Sequence, residues 1–264
     1  MPRAGYQLLP IRQEQGFAFR PLAFYHAAMA KHDPAPHAKQ GAATDEDHRV
    51  SSARRKRERM RAHLFESILV AYPGPDPSVP AVIDDVVRQA GVSRGTFYKY
   101  FRSLEQAVEE LGARQADELV KLYAFVYETL EDARMSAATG FQLFLSRAAV
   151  DPHWGAFIAH LTHVSPDSGL MRQIRSDLNR GVKAGVFSID DLDVALDLII
   201  GTKVEGIRHL ISFGPSRTYI EMMTGMILRS LGVAPMDANG FVQAASDRLH
   251  EMGPAQLPWW RPFT

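Results

Sequence analysis

The chain has 264 residues, 46% of them hydrophobic, which is enough for a sizeable core in one or two domains. A formal net charge of zero gives no global signal for a polyanionic partner, and the absence of cysteine excludes disulfides and thiolate metal sites. The sequence contains no apolar run of 18 residues that would predict a membrane span. Its N-terminus also lacks the basic segment followed by an apolar segment that is typical of a secretory signal. We therefore expect a cytoplasmic protein.

Residues 1–48 show no clean hydrophobic period, and they predict a flexible N-terminal extension with no assigned element. A helical pattern begins at Ser51, where Ser51 or Ser52 can cap the helix. Apolar residues then recur at every fourth position from Met60 to Tyr72, opposite a basic face. Pro73, Gly74 and Pro75 end this first helix.

Basic residues are concentrated in one part of the chain. The segment Arg49–Arg102 has eleven Lys/Arg against five Asp/Glu, a local excess of +6, and Arg49–Arg61 alone has seven basic residues against Glu58. This distribution favours a polyanion as the partner of this module, while the alternative is a solvated helix face. The candidate contacts are Arg54, Arg55 and Arg57.

Two short helices are predicted next, over 82–90 and 94–101, with a turn at Gly91 between them. Gly91 can adopt a positive φ, Ser93 is a good N-cap, and Phe97 and Phe101 at i, i+4 anchor the second short helix inward. Three helices with this turn predict a helix-turn-helix, whose last helix offers polar side chains to a DNA groove. The candidate DNA contacts are Ser93, Arg94, Gly95, Thr96, Tyr98 and Lys99.

A capping box formed by Ser103 and Gln106 opens a long helix that runs to about Thr129. Further helices are predicted near 136–149, 153–163, 168–184, 190–212, 216–231 and 239–251. Sustained period-two alternation is lacking, so we predict an all-α fold without a sheet. The tail contains Trp259 and Trp260, which we expect to pack on the body of the protein.

The segment VVRQAGVSRGTFYKYFRSLEQAV, 86–108, resembles the TetR family of bacterial transcriptional regulators, and the strict likeness covers Ser52–Leu111. The segment 181–207 is also similar to that family's Gly-x-Phe turn into its penultimate long helix. The resemblance implies an N-terminal DNA-binding domain and a helical C-terminal domain that forms a homodimer around a small-molecule pocket. It also implies phosphate contacts for Thr96 and Tyr98, and base contacts for Arg94 and Lys99.

Three positions depart from the family pattern. Leu104 stands where a phosphate-binding Lys is usual, and Arg102 is the candidate replacement. Val82 replaces a capping Thr, and Val87 replaces an Ala, which weakens a helix cap and enlarges the core. Leu104 removes one expected phosphate contact, whereas Val82 and Val87 do not touch the groove-facing residues.

Several residues of the C-terminal part are candidates for a ligand or a partner. An effector pocket is predicted from aromatic residues and a histidine, with ordinary core packing as the alternative; these are Phe125, Phe144, Trp154, Phe157 and His160. His153, His160 and His163 share one side of a helix, but no carboxylate accompanies them at ligand spacing, so we assign no metal. A dimer interface is predicted from apolar residues, against the alternative of a larger monomeric core; these are Ile199, Ile207, Ile220, Met223 and Ile227.

The predicted organisation is an extension over 1–48, a helix-turn-helix domain over 49–102, an effector-binding and dimerisation domain over 103–252, and a tail over 253–264. The predicted function is a homodimeric repressor in the bacterial cytoplasm, associated with the nucleoid, that a small molecule releases from a palindromic double-stranded operator. No cofactor and no enzymatic activity are predicted. The alternatives are an activator, a regulator without an effector, or an α-helical enzyme or binding protein; the last lacks a P-loop, a dinucleotide loop and a Ser-His-Asp spacing.

Overall fold

The computed structural model describes residues 45–71, 81–127, 130–161 and 168–263, with side chains from Ser51 onward except at 123–125 and 127. These residues form ten α-helices and contain no strand, which confirms the predicted all-α fold. The predicted extension over 1–48 lies outside the described residues except for 45–48, which are the start of the first helix. The described residues divide into two compact units between Glu109 and Glu110.

The N-terminal unit contains three helices, α1 (Asp45–Ala71), α2 (Ile83–Ala90) and α3 (Arg94–Phe97). α1 begins before the serines that were predicted to cap it, and its buried stripe of Leu64 and Ile68 follows the predicted four-residue period. α3 is shorter than predicted. Beyond Phe97 the backbone continues as a tight turn, in which the Tyr100 N–H donates to the Phe97 carbonyl at 2.9 Å.

The long helix α4 (Leu104–Tyr127) begins as its sequence predicts. The Gln106 N–H donates to Ser103 Oγ at 3.2 Å, and Gln106 Oε1 in turn accepts the Arg102 N–H at 2.8 Å. The second bond reaches one residue further back than in a standard capping box. Two N–H groups at the helix entry are nevertheless satisfied.

The C-terminal unit continues with six helices after α4. They are α5 (Ala133–Val150), α6 (Pro152–His160), α7 (Gly169–Lys183), α8 (Leu192–Phe213), α9 (Arg217–Ser230) and α10 (Pro235–Gln256). α5 is the central helix, because it packs against all five of the others and is buried on nearly every side. Consistent with this position, most of its residues are small or apolar, and Arg134, Gln142 and Arg147 are the exceptions.

Local signals fix where these helices begin and turn. Five of them start with a side chain that accepts a backbone N–H of the first turn; the capping residues are Asp132, Asp151, Ser168, Asp191 and Ser216. After α7 the chain reverses at Gly185, whose φ is 68°, and Phe187 then packs directly on Gly181. Trp259 and Trp260 are buried, as predicted for the tail.

Candidate DNA-binding surface and ligand cavity

The turn before α3 has the geometry that its sequence predicts. Gly91 adopts a φ of 64°, and its N–H and that of Val92 donate to the last carbonyls of α2. Ser93 then caps α3, accepting the Thr96 N–H at 3.1 Å. The Ser93 and Thr96 hydroxyls also share a hydrogen bond of 3.0 Å. α2 has no such side-chain cap, because Val82 lacks an acceptor; instead Asp85 accepts the Val82 N–H.

An aromatic cluster holds α3 against α1. Phe97 and Phe101 are fully buried, with ring centroids 5.4 Å apart, and Phe101 also packs on Phe65 of α1 at 5.2 Å. The Arg61 guanidinium lies over the Phe101 ring and donates to the Tyr100 carbonyl. His63 Nε2 donates to the Ala90 carbonyl at 2.9 Å and ties α1 to α2. One face of α3 is therefore fixed to the scaffold.

The opposite side of α3 is open to solvent. Arg94, Gly95, Tyr98 and Lys99 are exposed, Tyr98 with 53% of its surface accessible, and Ser93 is exposed beside them. Thr96 is half-buried, and its hydroxyl is engaged with that of Ser93. Gly95 leaves its side of the helix bare, which would permit close approach of another surface. The donors predicted to meet DNA thus lie together on one exposed surface.

Arg94 is the exception to this picture of freely extended donors. Its Nε donates to Asp84 Oδ1 at 2.6 Å, and its Nη2 donates to Asp84 Oδ2, forming a two-point ion pair between α3 and α2. The hydrogen bond from Arg94 lowers the pKa of the Asp84 carboxyl. Asp84 could not be recognised from its sequence position, since one acidic residue in the first turn of a helix is ordinarily explained by the helix dipole.

The basic residues of α1 are exposed along its N-terminal half. Arg54 pairs with Glu58 across one turn at 3.6 Å, and Arg55 is exposed. The Arg57 guanidinium lies 5.9 Å from the centre of the Tyr100 ring. Arg102 is exposed at the entry to α4. These side chains belong to the same compact unit as α3 and give it a positive surface.

The C-terminal unit contains a partly open cavity of about 40 Å³. It is bounded by α5, α7, α8, α9 and the turn after α7; the lining residues are Ala137, Gly140, Phe141, Gln173, Ile174, Asp177, Leu178, Phe187, Ile199, Lys203, Ile227 and Leu231. The lining is apolar apart from the side chains of Gln173, Asp177 and Lys203. Burial raises the pKa of the Asp177 carboxyl, against a hydrogen bond from Gln173 and the charge of Arg180.

Lys203 is the most unusual residue of this unit. It is 6% exposed, and its Nζ lies 4.8 Å from the Phe144 ring centre and 6.0 Å from that of Phe141. Desolvation by burial lowers the pKa of Lys203 to about 8. Lys203 could not be recognised from its sequence position, because a lysine in the middle of a helix is nearly always a surface residue.

The aromatic residues predicted for an effector pocket form a packed cluster and do not line this cavity. Phe144 meets Trp154 edge to face at 5.4 Å, and both are buried together with Phe157. His160 is half-buried, with Nδ1 bonded to the Ala156 carbonyl of its own helix. The side chain of Phe125 lies outside the described part of the chain.

The residues predicted for a dimer interface are mostly in the protomer's own core. Ile199, Ile207, Ile220 and Ile227 are buried, and Met223 is half-buried. α8 and α9 turn these residues inward because both helices pack on α5. Their outward sides carry a different apolar set, which is exposed; it comprises Val194, Leu198, Phe213, Met222 and Met226.

The histidine stripe is only partly described. His153 is exposed and His160 half-buried on α6, while His163 lies outside the described residues. Within the described ranges, no three His, Asp or Glu side chains are grouped as metal ligands. Nor does any helix in those ranges combine the length and apolarity needed to cross a membrane.

Comparison with known proteins agrees with this architecture. Residues 80–111 match the family model described as bacterial regulatory proteins, tetR family, and residues 132–243 match the tetracyclin repressor-like C-terminal domain. None of the curated proteins compared matches the chain.

Several solved structures share the fold. The RolR (NCGL1110) complex with resorcinol is 25% identical over 72% of this chain and 95% of that one, with a TM-score of 0.55. A TetR family regulator from Marinobacter aquaeolei VT8 is 13% identical, covering 67% and 98% of the two chains, with a TM-score of 0.55. A gamma-butyrolactone receptor (ArpA-like protein) is 17% identical, covering 74% and 98%, with a TM-score of 0.53. With its helix-turn-helix, its all-α second unit and both family models in sequence order, the chain belongs to the TetR family of transcriptional regulators.

Proposed function

We propose that this protein is a homodimeric repressor that a small-molecule effector releases from a palindromic operator. The observation that carries the DNA-binding part is the exposed surface of α3 and of the turn after it, where Arg94, Thr96, Tyr98 and Lys99 lie around the buried Phe97 anchor. A short helix held on one face and bearing donors on the other fits a major groove. This function needs binding alone and no bond-making chemistry.

The roles of the individual donors follow from their reach. Lys99 and Arg94 have the longest side chains on this surface and are assigned to base edges, while Thr96 and Tyr98 are assigned to phosphates. Ser93 caps the helix and leaves its N-terminal amides for a phosphate. Basic residues on α1 and at the start of α4 add backbone contacts; these are Arg54, Arg55, Arg57 and Arg102.

The DNA-binding part can be tested without knowing the operator. Duplexes selected from a random library by the full-length protein should share a two-fold symmetric sequence, and fluorescence anisotropy then measures their affinity. Lys99→Ala should weaken operator binding at matched salt. If Lys99 contacts a phosphate and not a base, the variant should also reduce the slope of log K against log salt by about 0.9. Lys121→Ala, an exposed lysine of the C-terminal unit, is the control. Equal affinity of Lys99→Ala, Arg94→Ala and wild type would refute the assignment.

The dimer is assigned to the outward stripe of α8 and α9 instead of the buried isoleucines. Leu198 and Met222 are exposed apolar residues, Met222 with 64% of its surface accessible. Side chains of this kind on neighbouring helices suit a four-helix contact between two copies, and a two-fold dimer would read a two-fold operator. In sedimentation velocity, Leu198→Glu and Met222→Glu should convert dimer to monomer. Met236→Glu, at an 83% exposed apolar position on α10, should leave the dimer intact.

The effector part is supported by the cavity in the C-terminal unit and by the similarity to RolR, which was solved with resorcinol. An effector lowers operator affinity only as far as it binds better to the state that does not hold DNA. Release of labelled operator on adding a small molecule, with protein and salt held constant, is therefore the direct measurement.

A further inference from the structure

The C-terminal unit has a positive charge in its interior that no acid neutralises among the described residues. Lys203 projects from the middle of α8, is almost fully buried, and has no salt bridge or hydrogen bond in that part of the chain. A buried ammonium is ordinarily paired with a carboxylate or bonded to carbonyl groups, since it loses its hydration on burial. The absence of a partner for Lys203 among the residues that the structure describes points to a partner supplied by a ligand.

The surroundings of Lys203 provide attraction but no hydrogen-bond acceptor. The faces of Phe141 and Phe144 stabilise a cation through their ring quadrupoles. Neither ring can accept the three N–H bonds that an ammonium offers. Lys203 therefore retains unused donors where it borders the cavity.

The acidic residue of the cavity is already engaged. The Asp177 carboxylate accepts from the Gln173 side-chain amide at 3.3 Å and pairs with Arg180 at 3.3 Å. The negative charge of Asp177 is therefore compensated by residues of α7. Among the charged side chains of the cavity lining, the Lys203 ammonium is the one without a described partner. The rest of the lining is apolar, with Phe141 and Phe187 supplying flat surfaces.

A second unmatched donor adjoins the same aromatic cluster. Trp154, which packs on Phe144, donates its Nε1–H to Gln115 Oε1 at 2.9 Å. Because an indole N–H can only donate, this bond fixes which end of the Gln115 amide is oxygen. The Gln115 Nε2 group is buried without a hydrogen-bond partner. Gln115 and Trp154 do not line the cavity beside Lys203, so this unsatisfied donor is a separate feature of the aromatic cluster.

We propose that the cavity beside Lys203 binds a small organic anion, a carboxylate or phenolate on a compact apolar ring, with its charged oxygen on Lys203 Nζ. The ring would lie on Phe141 and the aliphatic lining. A volume of about 40 Å³ holds on the order of three water molecules, so such a ligand must displace wall side chains as it enters. Entry would therefore change the packing of α5, α7 and α8. This inference rests on the proposed function, for which it supplies the effector class.

The test uses full-length protein and a panel of matched probes in isothermal titration calorimetry. The anions are benzoate, 4-hydroxybenzoate and cyclohexanecarboxylate, and the neutral and cationic counterparts are benzamide and benzylamine. At least one anion should bind wild type about tenfold or more tightly than benzamide, equivalent to about 1.4 kcal/mol. Lys203→Met should lose that preference, and Lys121→Met, at an exposed lysine, should keep it.

Three outcomes would overturn the proposal: no anion binds, benzamide binds as tightly as the anions, or Lys203→Met retains the preference. A crystal structure of wild type with the tightest anion gives a readout that depends on no variant. It should place a ligand oxygen within hydrogen-bond distance of Lys203 Nζ, and an anion bound elsewhere would also overturn the proposal.

The operator assay separates this inference from the regulator function. If wild type binds its selected operator and no anion binds the cavity, the ligand class is wrong while the regulator function stands. If an anion binds through Lys203 and wild type binds no selected duplex, the cavity assignment stands and the regulator function is wrong.

Discussion

Replacing the buried lysine by an apolar residue should stabilise the ligand-free protein. Burial lowers the pKa of Lys203 from 10.5 to about 8, a difference worth about 3 kcal/mol between folded and unfolded states. In wild type this penalty is fully present below pH 8, where both states hold the proton. Lys203→Met removes it while keeping a long, flexible side chain in the same space. At pH 7 the free energy of unfolding of the variant should exceed that of wild type by on the order of 3 kcal/mol. The cation–π attraction to Phe141 and Phe144, which the variant loses, reduces this difference.

The pH dependence makes this prediction specific to the charge. Between pH 8 and 10.5 folded wild type loses the Lys203 proton while the unfolded chain keeps it, so wild-type stability from this group rises with pH. By pH 9.5 about 2 kcal/mol of the penalty should be relieved, and the advantage of Lys203→Met should shrink by that amount. Asp177 lines the same cavity and burial raises the pKa of its carboxyl, but it is present in both proteins and cancels in the comparison.

Urea unfolding followed by circular dichroism at pH 7.0 and 9.5, at one protein concentration, gives the four free energies required. Equal m-values for the two proteins would show that the variant changes stability and not compactness. The reasoning fails if Lys203→Met is less stable at both pH values, or if its advantage is the same at both. Either result would mean that Lys203 is solvated or paired in the folded protein.

Two further predictions concern the ion pair on the DNA-binding unit and the turn after α7. Asp84→Asn should tighten binding to non-specific duplex, because the variant removes a negative charge and releases Arg94 from its ion pair. The ratio of operator affinity to non-specific affinity should therefore fall. An unchanged ratio in anisotropy titrations would contradict this role of Asp84. Gly181→Ala would place a Cβ 2.0 Å from the Phe187 ring and should destabilise the protein by about 1–3 kcal/mol in urea unfolding. Gly240→Ala, at an open helical position, is the matched control and should stabilise by up to about 1 kcal/mol.

The helix-turn-helix could be predicted from sequence because its determinants are local. A positive φ at Gly91 and a cap at Ser93 each follow from residue type, and the spacing of Phe97 and Phe101 identifies the inward face. What the sequence could not give is the pairing of Arg94 with Asp84, ten residues away on another helix. That contact depends on the angle at which two short helices meet.

The helices of the C-terminal unit could be predicted from the sequence, whereas the residues that line its cavity could not. α8 has apolar residues on more than one side, and sequence alone does not say which side meets α5. Packing on α5 turns Ile199 and Ile207 inward and leaves Leu198 outside. Residues that were predicted for a dimer interface therefore lie in the core of the protomer. The same rotation buries Lys203, a residue type that a sequence pattern places on the surface.

The energetic contrast between the two units supports separate roles for their charges. Arg94 is exposed and already bonded to Asp84, so in the proposed function it would reach DNA only if this ion pair opens. Lys203 is buried without a described partner, at a cost of about 3 kcal/mol in a protein whose total stability is on the order of 5–15 kcal/mol. Methionine at that position would fill similar space without the penalty. If an anion pairs with the ammonium as proposed, part of this cost would be recovered, and that energy would favour the ligand-bound packing of α5, α7 and α8.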